Sequence, residues 1–314
     1  KTQHLTVTIN QEIKKMKKMY TLFNLPKETF KKTRNGFLLF AFIFIASSAS
    51  FAQGVTIVVN ATTASNTGTK TVGDVIDYSI AVRNTGGVPL TNLVEKFLMQ
   101  TKGTYHAFKE ADKAGFSFGL CGGMHHGMSD RSRGFCLFND IVISIRKFQT
   151  QIKPLSFSVI DIDVHKGCGT AELTARDSSI ETLSIHMKSG WPLSPECGDG
   201  PWRIPSSLDI EIDLNQEDEY LDLLEKGLNK LKNLEMAVVV AGADPYILDS
   251  LESSKGIQLS KEQMLERDLL VYRFLKKRNI PQVWLMAGGY GPNTWEIYYQ
   301  FLKLIHEEEH ALLV

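Results

Sequence analysis

One wholly apolar run, Met236-Ala237-Val238-Val239-Val240, constrains the fold of this chain most strongly. A strand that faces water on one side alternates apolar and polar residues, whereas a strand with both faces covered is apolar throughout. Phe157-Ser158-Val159-Ile160 is a second run of this kind. Both runs predict strands of a sheet that is covered on each face.

Strand-like and helix-like segments alternate in most of the chain. We expect strands at 156–163, 181–186, 208–214, 236–241 and 282–287, and helices at 95–114, 137–149, 217–232, 260–278 and 293–311. This alternation predicts an α/β fold, a parallel sheet with helices on both faces.

The first part of the chain has a different composition. Basic residues precede the apolar run Phe37–Ile45, and small residues follow it up to Gln53, as in a secretory signal peptide. The run is too short to span a bilayer comfortably, so we expect no stable membrane span; a buried helix is the alternative. We assign 1–53 to a basic leader with this signal-like segment.

Residues 54–95 predict two β-strands followed by the turn signal Asn84-Thr85-Gly86-Gly87. The segment resembles the opening of a β-sandwich repeat of bacterial surface proteins. We therefore expect a partial repeat at 54–95 and an α/β domain at 96–314.

Asp161-Ile162-Asp163-Val164-His165 closes the Phe157–Ile160 run. Alternate residues of a strand share a face, so the two carboxylates and the imidazole are predicted to point the same way. Burying unpaired charge is costly, and a divalent metal is the simplest partner. The alternative is an ordinary strand end whose acids cap the next helix.

Further polar groups follow other predicted strands. Asp244, His186 and Gly288-Gly289-Tyr290 come directly after or at the end of such strands, and His125-His126 ends another apolar stretch. Ligands of open parallel sheets sit beyond the carboxyl ends of the strands. We expect these groups to converge on one edge.

Their chemistry is complementary. Asp163, His165 and Asp244 provide three ligands and leave a position open, as in catalytic zinc sites. His125 and His126 can act as general base and acid in a loop that Gly122, Gly123 and Gly127 permit. Asp161 can orient one histidine, and Tyr290 can donate a hydrogen bond to a developing oxyanion.

Five motifs together resemble the histone deacetylase family, most closely its small bacterial, class IV-like branch. They are Gly122-Gly123-Met124-His125-His126, Gly134–Asp140, Asp161–His165, Gly242-Ala243-Asp244 and Gly288-Gly289-Tyr290, within residues 97–308. The resemblance implies an arginase/deacetylase-like fold and zinc-dependent removal of acetyl groups from lysine or small amines.

The resemblance also implies residue roles. Zinc would be held by Asp163, His165 and Asp244; His125, His126 and Asp161 would handle protons, and Tyr290 would polarise the acetyl carbonyl. Gly134, Phe135 and Trp191 would line the substrate channel. A potassium site would lie near Asp161, Asp163, His165 and Ser184.

The chain departs from the family pattern in two places. Cys168 stands where members usually have Asp or Asn, and a cysteine cannot supply a carboxylate to His126. The signal-like and β segments occupy the place of the first strand, so we expect an N-terminally truncated domain. The alternative function is a catalytically impaired or inert homologue that is secreted or surface-associated.

An arginase-like ureohydrolase is the other enzymatic alternative, but Lys166-Gly167 replaces the expected Asp-x-His-x-Asp continuation after His165. The H-E-x-x-H match at 306–310 is better explained as a charged, solvated helix end.

The formal net charge of zero offers no basic excess, so we expect no direct nucleic-acid binding. The four cysteines contain no C-x-x-C pair and fit a reducing compartment. We therefore expect the deacetylase-like part to be cytoplasmic; the alternative is export if 31–53 acts as a signal peptide.

Overall fold

The computed structural model describes residues 55–62, 77–84 and 90–311, which fall into two compact units. In the first unit, β1 (Val55–Thr62) and β2 (Asp77–Asn84) pair antiparallel along their whole lengths. Two strands are thus present within the segment 54–95, although β2 extends to Asn84, the first residue of the expected turn; membership of a surface-protein repeat stays a prediction. The signal-like segment lies outside the described residues.

The second unit is built on a six-stranded sheet in the order β3-β8-β7-β4-β5-β6, and every neighbouring pair is parallel. The strands are β3 (Phe116–Gly119), β4 (Phe157–Asp161), β5 (Ile180–Met187), β6 (Leu208–Ile212), β7 (Met236–Ala241) and β8 (Gln282–Met286). The α/β prediction is confirmed. The short edge strand β3 was not anticipated.

Six α-helices of the described residues accompany this sheet: α1 (Leu90–Ala114), α2 (Asp140–Gln151), α3 (Cys168–Thr174), α4 (Tyr220–Leu228), α5 (Lys261–Lys277) and α6 (Thr294–Ala311). The start of α5 is fixed by a capping box between Ser260 and Gln263. Among the described helices we find none that is both long and apolar enough to cross a bilayer.

Helices cover both faces of the sheet, which explains why its central strands are apolar throughout. Val159, Val238 and Val283 pack in one core with α1 and α2. The next residue of each strand, namely Ile160, Val239 and Trp284, packs in the other core with α4, α5 and α6. Successive strand residues point to opposite faces, so both sets must be apolar.

Two boundaries differ from expectation. Strand β4 ends at Asp161 rather than at residue 163. The amides of Asp163 and His165 donate to the carboxylates two residues earlier, at 3.2 and 2.9 Å, and such turns end the extended chain. Helix α1 begins at Leu90, so the expected boundary at 95/96 falls inside it. The division into domains stays a prediction.

We expect Trp284→Ala to lower the free energy of unfolding by about 3–5 kcal/mol, because its fully buried ring leaves a cavity against Phe301, 4.5 Å away between ring centroids. Trp295→Ala is the matched control. Its side chain is 61% exposed, and the loss should stay within about 0.5 kcal/mol. Equal losses in urea denaturation would contradict this view of the core.

Candidate active site

Asp163, His165 and Asp244 form a buried cluster whose ligand atoms all lie within 4.8 Å of one another. The Nδ1 atom of His165 is 3.2 Å from Asp163 Oδ1 and 3.1 Å from Asp244 Oδ2. The first two residues follow β4 and the third follows β7, the neighbouring strand. The predicted convergence at the carboxyl edge is therefore present.

The charges of this cluster fit a divalent cation. Burial and the adjacent Asp163 carboxylate raise the pKa of Asp244 to about 7. Burial lowers the pKa of His165, but its hydrogen bonds to the two aspartates outweigh burial and raise it to about 10. The two carboxylates thus demand positive charge, and a metal ion can supply it in place of a proton.

Neighbouring groups orient the three candidate ligands. Asp163 Oδ2 accepts a hydrogen bond from the Gly288 amide at 2.8 Å, and Asp244 Oδ1 accepts one from the Val164 amide at 3.1 Å. The Nε2 atom of His165 faces Ser253 Oγ at 3.3 Å. A partner at Nε2 leaves Nδ1 available for a metal, as second-sphere partners of ligating histidines do.

His125 is paired with a carboxylate. Its Nδ1 lies 2.7 Å from Asp161 Oδ2, and its Nε2 lies 3.6 Å from Asp163 Oδ1. Burial lowers the pKa of His125, but the charges of both aspartates prevail and raise it to about 9. The backbone before it turns through Gly122 and Gly123, both at positive φ. The protonated imidazolium is therefore the favoured form of His125.

His126 has a contrasting environment. Its ring centroid is 3.8 Å from that of His125, but its Nδ1 faces Cys168 Sγ at 3.4 Å. Burial, followed by the positive charges of His125 and His165, holds the pKa of His126 well below its usual value. Burial also raises the pKa of Cys168 to about 12, so the thiol is neutral. His126 is therefore a neutral imidazole beside a charged one.

Aromatic rings border the histidines. The Trp191 ring centroid lies 4.6 Å from that of His126 and 5.6 Å from that of His165. The ring of Phe135 lies 6.0 Å from that of Tyr290 and is more than half exposed. The Trp191 ring thus packs against both histidine rings, and Phe135 and Tyr290 form a separate aromatic pair; that these residues line a substrate channel stays a prediction.

Tyr290 is fixed through its backbone. Its amide donates to Asp249 Oδ2 at 2.5 Å, and its carbonyl accepts from the Ser250 amide at 2.8 Å. Burial, followed by the nearby charges of Asp163 and Asp244, raises the pKa of Tyr290 well above its usual value. The phenol stays protonated and can act as a hydrogen-bond donor.

Sequence reasoning missed Asp140 and Asp249 as parts of this site. The buried Asp140 carboxylate accepts hydrogen bonds from the amides of Gly123 and Met124, at 3.1 and 2.7 Å, and so holds the histidine loop. Asp140 lies in the first turn of α2, where an acid is ordinary. Only its membership of the Gly134–Asp140 motif pointed to it.

Ser184 lies on β5 beside the segment that follows His165. Its Oγ is 3.1 Å from His186 Nδ1 and receives a long hydrogen bond, 3.5 Å, from the Gly167 amide. His186 itself is fully buried and burial lowers its pKa to about 4, so it serves as a neutral group rather than as a further proton carrier.

Comparison with known proteins agrees with this geometry. The family described as "Histone deacetylase domain" matches residues 57–302, more than half of the chain. The chain belongs to the histone deacetylase family. Its resemblance to that family, predicted from five motifs, is thereby confirmed.

Two curated relatives show how much of such proteins the chain covers. "Histone deacetylase 2" of Arabidopsis thaliana is 29% identical over 62% of this chain and 49% of its own length. "Probable deacetylase" of Methanothermobacter thermautotrophicus is 29% identical over 61% of this chain and 59% of its own. The chain thus spans about half the length of these relatives.

Solved structures show the same fold. An HDAC homologue from Aquifex aeolicus superposes with a TM-score of 0.53 at 25% identity, covering 65% of this chain and 56% of that one. An HDAC homologue in complex with SAHA superposes with a TM-score of 0.52 at 26% identity, covering 64% and 55%. The arginase/deacetylase-like fold is confirmed.

We expect Gly134→Ala to disturb the packing of the Trp191 ring against His126. Gly134 has φ 51°, and an added Cβ would lie 2.3 Å from Trp191 Cη2 and 2.5 Å from His126 Cδ2. Gly115→Ala is the control, since Gly115 has φ 80° but no atom within 4 Å of an added Cβ. Intrinsic tryptophan fluorescence should change in the first variant alone. The same change in both would indicate backbone strain rather than a clash.

We expect Cys168→Asp to raise the pKa of the His126 imidazole, because a carboxylate would replace a neutral thiol at its Nδ1. The midpoint of its titration should move upwards by about 1–3 pH units. Cys168→Ser provides a neutral control, and His125, His165 and Arg133 affect His126 equally in both variants. NMR titration of the His126 ring in the metal-free chain measures the difference. Identical midpoints would show that residue 168 does not tune His126.

Proposed function

We propose that this chain is a zinc-dependent amidohydrolase that removes acetyl groups from acetyl-lysine or small acetylated amines. One observation carries the proposal: the buried Asp163, His165 and Asp244 cluster adjoins two histidines in opposite electrostatic environments. Acid and base roles are found where neighbouring titratable groups have pKa values pushed apart.

Asp163, His165 and Asp244 would hold the zinc ion, which would polarise the acetyl carbonyl and acidify a water molecule. Both histidines turn Nδ1 to a partner, Asp161 or Cys168, and this leaves each Nε2 for proton transfer. The neutral His126 accepts the proton of the attacking water, and the charged His125 donates one to the leaving amine.

Tyr290 would donate its phenolic hydrogen to the oxyanion that develops on the acetyl carbonyl. Its raised pKa keeps that hydrogen in place, and the contacts of its backbone with Asp249 and Ser250 fix its position. Gly134, Phe135 and Trp191 would line the channel that admits the acetylated side chain.

The substrate proposal is supported by the names of the relatives and by the SAHA complex of a similar structure. We extend the proposal to a potassium ion near Asp161, Asp163, His165 and Ser184. The buried Asp161 carboxylate and the Ser184 hydroxyl are oxygen groups that could bind such a cation. We also propose a cytoplasmic location for the deacetylase-like part, because its cysteines fit a reducing compartment. The formal net charge of zero supports our proposal that the chain has no direct nucleic-acid partner.

The structure adds a second argument against the arginase-like alternative. Among the residues the structure describes, one group of three metal-binding side chains is present, whereas a ureohydrolase needs ligands for two metals. The impaired-homologue alternative makes a different forecast, namely zinc binding without turnover.

The test is zinc content together with acetate release, measured on the full chain with an acetyl-lysine peptide and an acetylated polyamine. About one zinc per chain with acetate release supports the proposal. Zinc binding by a folded chain without turnover of either substrate would refute the active-enzyme proposal, and two manganese ions per chain would overturn the zinc assignment.

We expect Asp163→Ala to abolish zinc binding, since it removes one of three ligands, whereas Tyr290→Phe should retain zinc and lower kcat by about 10²–10³-fold. Zinc content and steady-state kinetics separate the two effects. Tyr299→Phe, an exposed tyrosine on α6, is the control for Tyr290→Phe and should leave kcat unchanged. Full zinc occupancy in Asp163→Ala would refute the ligand assignment.

A further inference from the structure

Arg267, in the middle of α5, is completely buried beneath the sheet edge that carries the cluster. Its Nε and Nη2 atoms lie 2.9 and 2.7 Å from the carboxylate of Asp268, the next residue. A buried ion pair gains little net stability, because desolvation offsets the attraction between the charges. Net stabilisation of the fold therefore does not explain why this guanidinium is buried here.

The Nη1 atom of this guanidinium joins two segments of the site. Arg267 Nη1 donates to the carbonyl oxygens of Ile162 and Gly242, each at 2.9 Å. The first carbonyl directly precedes Asp163, and the second lies two residues before Asp244. One planar group thus contacts the backbone of both segments that carry carboxylate ligands.

These contacts continue where the sheet stops. The pairing of β4 with β7 ends at Asp161 and Val240, and the last backbone bond between them runs from the Ile162 amide to the Val240 carbonyl at 3.1 Å. Beyond this point the segments that follow β4 and β7 leave the sheet and enter the site. Just past this last backbone hydrogen bond, Arg267 links the same two segments by donating to a carbonyl of each.

A second side chain makes the corresponding connection between β7 and β8. The hydroxyl of Tyr298, in α6, lies 3.0 Å from the Ala241 carbonyl and 3.1 Å from the Gly288 carbonyl. Gly288 in turn donates its amide to Asp163 Oδ2 and accepts from the Ala243 amide. The hydroxyl thus reaches the segment that leads to Tyr290.

We propose that Arg267 and Tyr298, here called the brace, are positioning residues. They hold the backbone segments of Asp163, Asp244 and Tyr290 at the distances from one another that zinc binding requires. This proposal rests on one part of the proposed function, namely that Asp163, His165 and Asp244 bind zinc. The hydrogen bonds of both side chains to these segments go to main-chain carbonyls and not to the candidate ligand atoms. Both act through main-chain carbonyls, so their loss should alter the spacing of the ligands before it alters the chemistry.

The variants are chosen to separate spacing from charge and packing. Arg267→Lys keeps the positive charge beside Asp268 but loses the planar fork that reaches two carbonyls at once. Tyr298→Phe keeps the ring and removes only the hydroxyl. Leu275→Ala, a fully buried position on the same helix, is the control for general destabilisation.

The measurement is the zinc dissociation constant of the full chain, by competition with a chromophoric chelator, alongside the thermal midpoint of the metal-free protein. We expect Arg267→Lys to weaken zinc binding about 10–100-fold, as the loss of outer ligand partners does, and Tyr298→Phe to weaken it by a smaller factor. Leu275→Ala should lower the thermal midpoint and leave the dissociation constant unchanged.

Wild-type zinc affinity in a folded Arg267→Lys variant would overturn the proposal. If that variant does not fold, an unchanged affinity in Tyr298→Phe would overturn it, as would equal weakening in Leu275→Ala. Zinc binding by the wild type without acetate release would refute the proposed function and leave the brace intact. A wild-type chain that binds no zinc would refute both.

Discussion

Two carboxylates, Asp163 and Asp244, lie buried side by side at one edge of the sheet, and most of the surrounding structure follows from this juxtaposition. Buried like charges repel each other and resist desolvation, so they persist only where positive charge or hydrogen-bond donors meet them. Here His165 and backbone amides contact both carboxylates, and a metal ion would complete the neutralisation. The need for a cation is therefore a property of the fold as well as of the proposed chemistry.

The parallel sheet makes this arrangement possible. Strands β4, β7 and β8 are neighbours, so the segments that follow them emerge at the same edge although they are far apart in the chain. The strands themselves cannot fix the distances beyond their ends, because the ladder of hydrogen bonds stops there. Buried side chains of the covering helices, above all Arg267, contact the backbone at that point. In this view the helices both cover the cores and set the geometry of the site.

The adjacent residues His125 and His126 have different charge states because each contacts a different side chain. His125 contacts the Asp161 carboxylate, whereas His126 contacts the Cys168 thiol. The first environment stabilises the imidazolium and the second the neutral ring. Cys168 departs from the usual family pattern, yet a neutral partner leaves His126 able to accept a proton. The Cys168 thiol is therefore compatible with the role of proton acceptor that we propose for His126.

Much of the fold and the site could be predicted from the sequence. Apolar runs such as Met236–Val240 indicated strands that are covered on both faces, and their alternation with helix-like segments indicated a parallel sheet. Polar residues after those runs determined which side chains converge, because parallel strands share one carboxyl edge. Tertiary structure alone decided that Asp140, Asp249, Arg267 and Tyr298 contact the backbone of the site. Each depends on contacts between residues distant in the chain, and local periodicity carries no record of such contacts.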